Sequence, residues 1–132
     1  MEIIGTLSDK IINILNLSYI TDKNIYIGET NIEHMKTSHP DDYSKYKDKI
    51  PEILKNPDYI GKNSKDDSIE FVKEFIINHE YVKVAVRVSS KNRLYACSVY
   101  VLNRRRVKNF IEKGTLKKYK YIIDKNKKLL YK

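Results

Sequence analysis

The side chains best suited to moving a proton near neutral pH are three histidines, His34, His39 and His79. His34 and His39 are five residues apart, so a continuous helix of 3.6 residues per turn would hold them about 140° apart. Pro40 follows His39 directly. A helix must break or restart there, and the two imidazoles can then reach one cleft from either side of the bend. The plainest alternative makes His34 a helix-surface residue, His39 an N-cap and His79 a turn residue. A zinc site would need more ligands. Asp41 and Asp42 are close by, but Cys97 is the only cysteine and the spacing matches no common metal motif. No metal and no cofactor is therefore expected.

A second group of polar residues is gathered by strand pairing. Residues 69–77, 81–89 and 94–103 are rich in β-branched and aromatic side chains. The middle segment alternates, with Val82, Val84, Val86 and Val88 on one face and Lys83, Ala85 and Arg87 on the other. If Lys91-Asn92 is a two-residue turn, partners sum to 183. Val88 then faces Tyr95, Val86 faces Cys97, Val84 faces Val99 and Val82 faces Val101. The other face sets Arg87 beside Ala96, Ala85 beside Ser98 and Lys83 beside Tyr100. A loop of odd length would turn one strand's apolar set to the wrong face. With Asn78-His79 as the preceding turn, partners sum to 157. Phe71 then faces Val86, Phe75 faces Val82 and Glu74 faces Lys83, while Lys73 falls among core residues and must snorkel to an edge. Register thus predicts a polar patch of Glu74, Lys83, Arg87, Ser98 and Tyr100. Taken blandly it is the solvated side of a sheet, with Glu74–Lys83 a surface pair worth under about 1 kcal/mol.

The elements that must hold these residues are legible in outline. Ser8 is a fitting N-cap for a short helix over 8–17. Residues 25–28 read as a strand. Thr30-Asn31-Ile32-Glu33 matches a capping box, which starts the helix carrying His34. Pro40 suits the first position of the next helix, with Asp41 and Asp42 in its first turn, and Pro51 starts another turn over 51–54. Residues 61–67 are polar and read as a loop. Asn103 can cap a helix over 104–113 that Gly114 ends, and a further strand is expected around 119–123. The fold class is α+β, with the N-terminal helices packed on one face of an antiparallel sheet. The 132 residues suit a single domain: a core over 25–113, an N-terminal helical segment over 1–24 and a basic C-terminal segment over 114–132.

Charge narrows the partners. Residues 104–132 carry 12 Lys and Arg against Glu112 and Asp124, a net of +10, and the first 103 residues are nearly balanced. A basic excess confined to one segment points to a polyanion, since each neutralised phosphate releases counterions. The richness in Lys, Ile, Asn and Tyr is also what an AT-rich genome supplies by drift, so charge does not decide the matter alone. One cysteine excludes an internal disulfide. No apolar run approaches a membrane span, and the N-terminus lacks a signal-peptide pattern. A cytoplasmic protein without a membrane partner is expected.

Taken together, the segment from His34 to His39-Pro40, the stretch Asn56-Pro57-Asp58-Tyr59, and the strand Ser98-Val99-Tyr100-Val101 leading into Arg104-Arg105-Arg106 resemble phage-type nuclease domains of the barnase–EndoU–colicin–RelE superfamily. The resemblance covers about residues 25–113. It implies a barnase/EndoU/RelE-like fold and metal-independent cleavage of RNA, in which a 2′-hydroxyl attacks the adjacent phosphate and leaves a 2′,3′-cyclic phosphate. That chemistry needs a base, an acid and cations on the non-bridging oxygens. His34 or His39 would be base or acid, and Lys83 and Arg87 would stabilise the phosphorane. Ser98 would position phosphate, and Tyr100 would stack on a base or donate a proton. Domains of this type act as toxins or as phage or mobile-element effectors, which would make an acidic inhibitor protein a second partner beside RNA. Two other functions fit the same sequence: a non-catalytic RNA-binding module, supported by the basic tail and eleven tyrosines, and a protein-interaction domain.

Overall fold

The structure is a computed structural model that describes residues 1–119. In chain order the elements are β1 (Glu2–Thr6), α1 (Asp9–Leu15), β2 (Asn24–Ile27), α2 (Glu29–Ser38), α3 (Pro40–Tyr46), α4 (Ile50–Lys55), β3 (Tyr59–Lys62), β4 (Ile69–Phe75), β5 (Glu80–Val88), β6 (Leu94–Leu102), α5 (Arg104–Glu112) and β7 (Leu116–Lys118). The class is α+β. Among the described residues, seven strands form one sheet in the order β1-β2-β6-β5-β4-β3-β7, antiparallel except where β2 runs parallel to β6. No helix among them is long and apolar enough to cross a membrane. From Lys120 onward the strand expected around 119–123, like the rest of the basic C-terminal segment, lies outside the described residues.

The helix ends follow local chemistry. Ser8 Oγ accepts the Ile11 N–H and Asn103 Oδ1 accepts the Arg105 N–H, so α1 and α5 start at their expected caps. Gly114, with φ +78°, closes the turn after α5. Helix α2 departs from expectation. It begins at Glu29, and Asn31 Oδ1 accepts the Gly28 N–H, so Asn31 makes the contact assigned to Glu33. The shorter Asn side chain reaches back because the helix starts earlier.

Three strand assignments need correction. The first 24 residues are not solely helical: β1 pairs with β2 at the sheet edge, and Leu7, Ile11, Leu15 and Leu17 are buried in the main core. Gly61 and Lys62 are strand rather than loop. Gly61 is there because a Cβ at this position would lie 2.3 Å from the Thr115 carbonyl oxygen, where β7 crosses close to β3. Finally, β4 and β5 pair with partners summing to 155, not 157. The connection is a 3₁₀ turn over Ile76–Asn78 with His79 in the left-handed region, longer than a two-residue loop. A shift of two keeps every side chain on its face and changes only its neighbours. Lys73 does snorkel: its Nζ donates to the Asn56 carbonyl at 2.9 Å.

Both faces of the sheet are partly covered. Phe71, Val82, Val84, Val86 and Val99 face the main core, with Ile11, Met35, Ile50 and Ile53 from the first-half helices. On the opposite face Val72, Leu102 and Leu116 bury Val107 of α5. Helix α5 therefore covers one end of the surface expected to be bare. Its other end is open.

Candidate active site

The open end of the second face is a cleft of about 590 Å³. Its walls include His34, Lys83, Arg87, Ser98 and Tyr100, so five of the six residues singled out from sequence line one cavity. The sixth, His39, stacks on Tyr100 with ring centroids 4.5 Å apart and planes 20° from parallel. Glu74 is not in the cleft. It pairs with Tyr81 across the strands and lies 3.8 Å from Arg104, toward α5. His79 is remote as well, an exposed turn residue whose carbonyl accepts a bond from Arg104.

Two helices bring the imidazoles to the sheet. Strand β2 touches β6 only at its start, where Ile25 and Tyr26 pair with Leu94 and Tyr95. Beyond that point α2 and α3 pack along β6. The Asp42 carboxylate accepts the Val101 N–H at 3.0 Å, satisfying a backbone donor that no strand takes. Helix α2 buries Met35 in the main core and turns the adjacent, exposed His34 toward the cleft. Ser38 Oγ lies 3.4 Å from His34 Nε2, one helical turn along. Asp42 carries a signal that sequence reading attributed only to the helix dipole.

The cleft floor holds a buried ion pair. Lys83 Nζ donates to Glu70 Oε2 at 2.6 Å, and both side chains are almost fully enclosed. The register of 155 puts Glu70 opposite Ala85, diagonal to Lys83 on the same face. A lone acid within Ser68-Ile69-Glu70-Phe71-Val72 was the available clue, masked by the misplaced turn. The Lys83 ammonium also sits over the Tyr100 ring, 4.8 Å from its centroid. Burial by itself would lower the Lys83 pKa, but the Glu70 bond, the Tyr100 contact and the charges of both outweigh it, and the net shift is upward. Lys83 is thus held as a cation.

Arg87, by contrast, is exposed, with Nη2 3.6 Å from Asp66 Oδ2. Asp66 Oδ1 accepts both the N–H and the hydroxyl of buried Ser68, which fixes the carboxylate. Those bonds, with Arg87 nearby, hold the Asp66 carboxyl below its ordinary range. Arg87 also lines the cleft.

The hairpin between β5 and β6 is built differently from expectation. Ser89 pairs with Arg93, so the loop holds three residues with Asn92 left-handed. The odd loop shifts the register by one near the turn: Val88 faces Leu94, Val86 faces Ala96 and Arg87 faces Tyr95. A β-bulge at Cys97 absorbs the extra residue, and from Ser98 onward the partners sum to 183 as predicted. Leu94 and Ala96 therefore fill the core where Tyr95 and Cys97 were expected, and Tyr95 joins the cleft wall. The Cys97 thiol, also on the wall, donates to the Ala85 carbonyl, and burial pushes its pKa up, which makes it a poor nucleophile.

Among the described residues no group of three or more His, Cys, Asp or Glu is placed to hold a metal ion. What the cleft does offer is an imidazole, two cations of different character, several hydroxyls and two phenols around one open volume. Such a set can bind a phosphodiester and move its protons. A family model described as phage-Barnase-EndoU-ColicinE5/D-RelE like nuclease3 matches residues 1–109. No match to a curated protein or to a solved structure is found.

Proposed function

The chain belongs to the phage-Barnase-EndoU-ColicinE5/D-RelE-like nuclease family, and we propose that it is a metal-independent endoribonuclease whose active site is the cleft between α2 and the β4–β5–β6 face. The observation that carries this reading is the convergence of His34, Lys83, Arg87, Ser98 and Tyr100 on one cavity. Nucleases of this kind must activate a hydroxyl, protonate a leaving oxygen and stabilise a dianionic phosphorane.

In this reading the scissile phosphate lies against Arg87, whose fork can take two non-bridging oxygens. Lys83, charged and fixed by Glu70, supplies positive potential from the floor. The Ser98 hydroxyl donates to a phosphate oxygen. His34 reaches in from α2 and exchanges a proton with the 2′-hydroxyl or with the leaving 5′-oxygen. The Tyr100 phenol serves the opposite transfer. His39 acts through Tyr100, as a positioning residue, since the stack orients that ring. The 2′-oxygen forms a bond to phosphorus, the P–O5′ bond breaks, and the products are a 2′,3′-cyclic phosphate and a 5′-hydroxyl.

The test is cleavage of labelled RNA in EDTA by the wild type, His34→Ala and Arg87→Ala. His34→Ala is expected to lose on the order of 10²–10⁴-fold in kcat with substrate binding retained. Arg87→Ala is expected to weaken both binding and rate. Undiminished cleavage by His34→Ala would remove the imidazole from the mechanism.

A further inference from the structure

We propose that Tyr95, backed by Arg93, is the stacking platform for an unpaired nucleobase next to the phosphate held at Arg87, which makes the preferred substrate single-stranded. The inference deepens the endoribonuclease reading and rests on it for the identity of the ligand. Its basis is the backbone. The odd loop and the Cys97 bulge together turn Tyr95 out of the core and make it the direct cross-strand partner of Arg87. Cross-strand partners hold their Cβ atoms about 4.5–5.5 Å apart. An aromatic side chain and a guanidinium on paired positions of one cleft wall suit a nucleotide, whose base and phosphate are separated by one ribose.

The platform is braced from behind. The neighbouring Tyr95 side chain raises the pKa of the Arg93 guanidinium. That guanidinium lies 5.0 Å from the centroid of the Tyr26 ring. Tyr26 tilts against Tyr95 at 6.2 Å and donates its hydroxyl to Asp22 at 2.8 Å. The parallel contact of β2 with β6 is what seats Tyr26 there. Tyr100 does not offer the same service. Its ring already carries the His39 imidazole at 4.5 Å and the Lys83 ammonium at 4.8 Å. Of the two cleft tyrosines, Tyr95 is the one left to receive a base, and Arg93 adds a cation beside it. A base within a duplex is already stacked and paired, so it cannot present a face to this ring.

The experiment measures binding by fluorescence anisotropy. The ligand is a single-stranded oligoribonucleotide made uncleavable by one 2′-deoxy residue at the scissile position. An otherwise identical strand is abasic at the flanking nucleotide. Tyr95→Ala is expected to weaken binding about 5- to 150-fold, the range for removal of one base–aromatic stack, and Tyr95→Phe to change it little. The abasic strand should bind wild type more weakly by a similar factor and bind Tyr95→Ala almost as the intact strand does. Equal affinity of wild type for the two strands would overturn the assignment, even if Tyr95→Ala fails to fold. Equal weakening by the abasic change in wild type and Tyr95→Ala would overturn it too. A protein that binds in this pattern yet leaves RNA uncut would sink the catalytic reading and uphold the platform. One that cuts RNA with no sensitivity to Tyr95 or to the abasic change would do the reverse.

Discussion

At the scale of single residues the cleft holds side chains fixed as charges and side chains able to exchange a proton. Lys83 belongs to the first kind. Its pKa is raised above 10.5 in the fold, so the stabilising contribution of the Lys83 ammonium is fully present at pH values just below 10.5 and is lost as the pH climbs through the raised value. Breaking the pair leaves a buried, unmatched ammonium. Glu70→Ala is expected to cost about 3–5 kcal/mol in urea denaturation and to lower the Lys83 pKa. Unchanged stability would mean that Lys83 finds water when Glu70 is gone. Tyr100→Phe separates two roles of one ring: it keeps the His39 stack and deletes the phenol. Cleavage should fall while the melting temperature holds, whereas His39→Ala should affect catalysis by way of Tyr100. Undiminished cleavage by Tyr100→Phe would remove the phenol from the second proton transfer. The shared face of Lys83, Arg87, Ser98 and Tyr100 was legible in sequence because alternation assigns faces regardless of exact partners, and the approach of His34 and His39 followed from the break at Pro40. Glu70 and Tyr95 were not, since both depend on loop lengths that differ from the simplest hairpins by one or two residues.

At the scale of elements, three local devices set the site. Helices α2 and α3 flank β6 where β2 leaves it, with Asp42 fastened to Val101. The Cys97 bulge re-aims β6. The contact of β7 with β3 depends on Gly61, which has no room for a methyl group beside Thr115. Gly61→Ala is expected to destabilise the fold by about 1–3 kcal/mol, read from the denaturation midpoint, with β7 displaced. A neutral result would show that β7 yields readily. A fourth tie joins α3 to β5: Tyr46 Oη and Lys45 Nζ each donate to Glu80 Oε1 at 2.6 Å. These two bonds lower the Glu80 pKa from 4.5. Its contribution is therefore present above pH 4.5 and disappears as the pH falls through the lowered value. Glu80→Gln should flatten that part of the acid stability profile, and an identical profile would deny the tie any weight. Caps and prolines made most helix starts readable. The first and third strands were missed because β1 contains Gly5 and β3 contains Gly61, and a glycine normally signals a loop.

At the scale of the molecule, the basic start of α5 and the cleft adjoin. Tyr100 lines the cleft and also packs against the cluster formed by Val107 of α5, the helix that begins with Arg104, Arg105 and Arg106. In the proposed mode, RNA held at Arg87 would continue toward that helix. Affinity should fall steeply with salt, and replacing Arg105 and Arg106 should flatten the slope of log affinity against log salt by roughly one for each phosphate no longer neutralised. An unchanged slope would place the RNA elsewhere. The α+β class was readable from pattern alone. The two-sided cover of the sheet was not, because α5 stands out in sequence by its charge, while Val107 is what draws it onto the second face.

The central claim is that a 2′-hydroxyl is the nucleophile and that the described cleft needs no metal to use it. The most direct measurement incubates the protein in EDTA with two end-labelled strands of one sequence. One is all-ribose, and the other carries a single 2′-deoxy residue at each site cut in the first. Cleavage of the first strand to 2′,3′-cyclic phosphate and 5′-hydroxyl ends is expected, and none of the second. Cleavage of the deoxy-substituted strand, or activity that vanishes with EDTA and returns with a divalent cation, would contradict the claim.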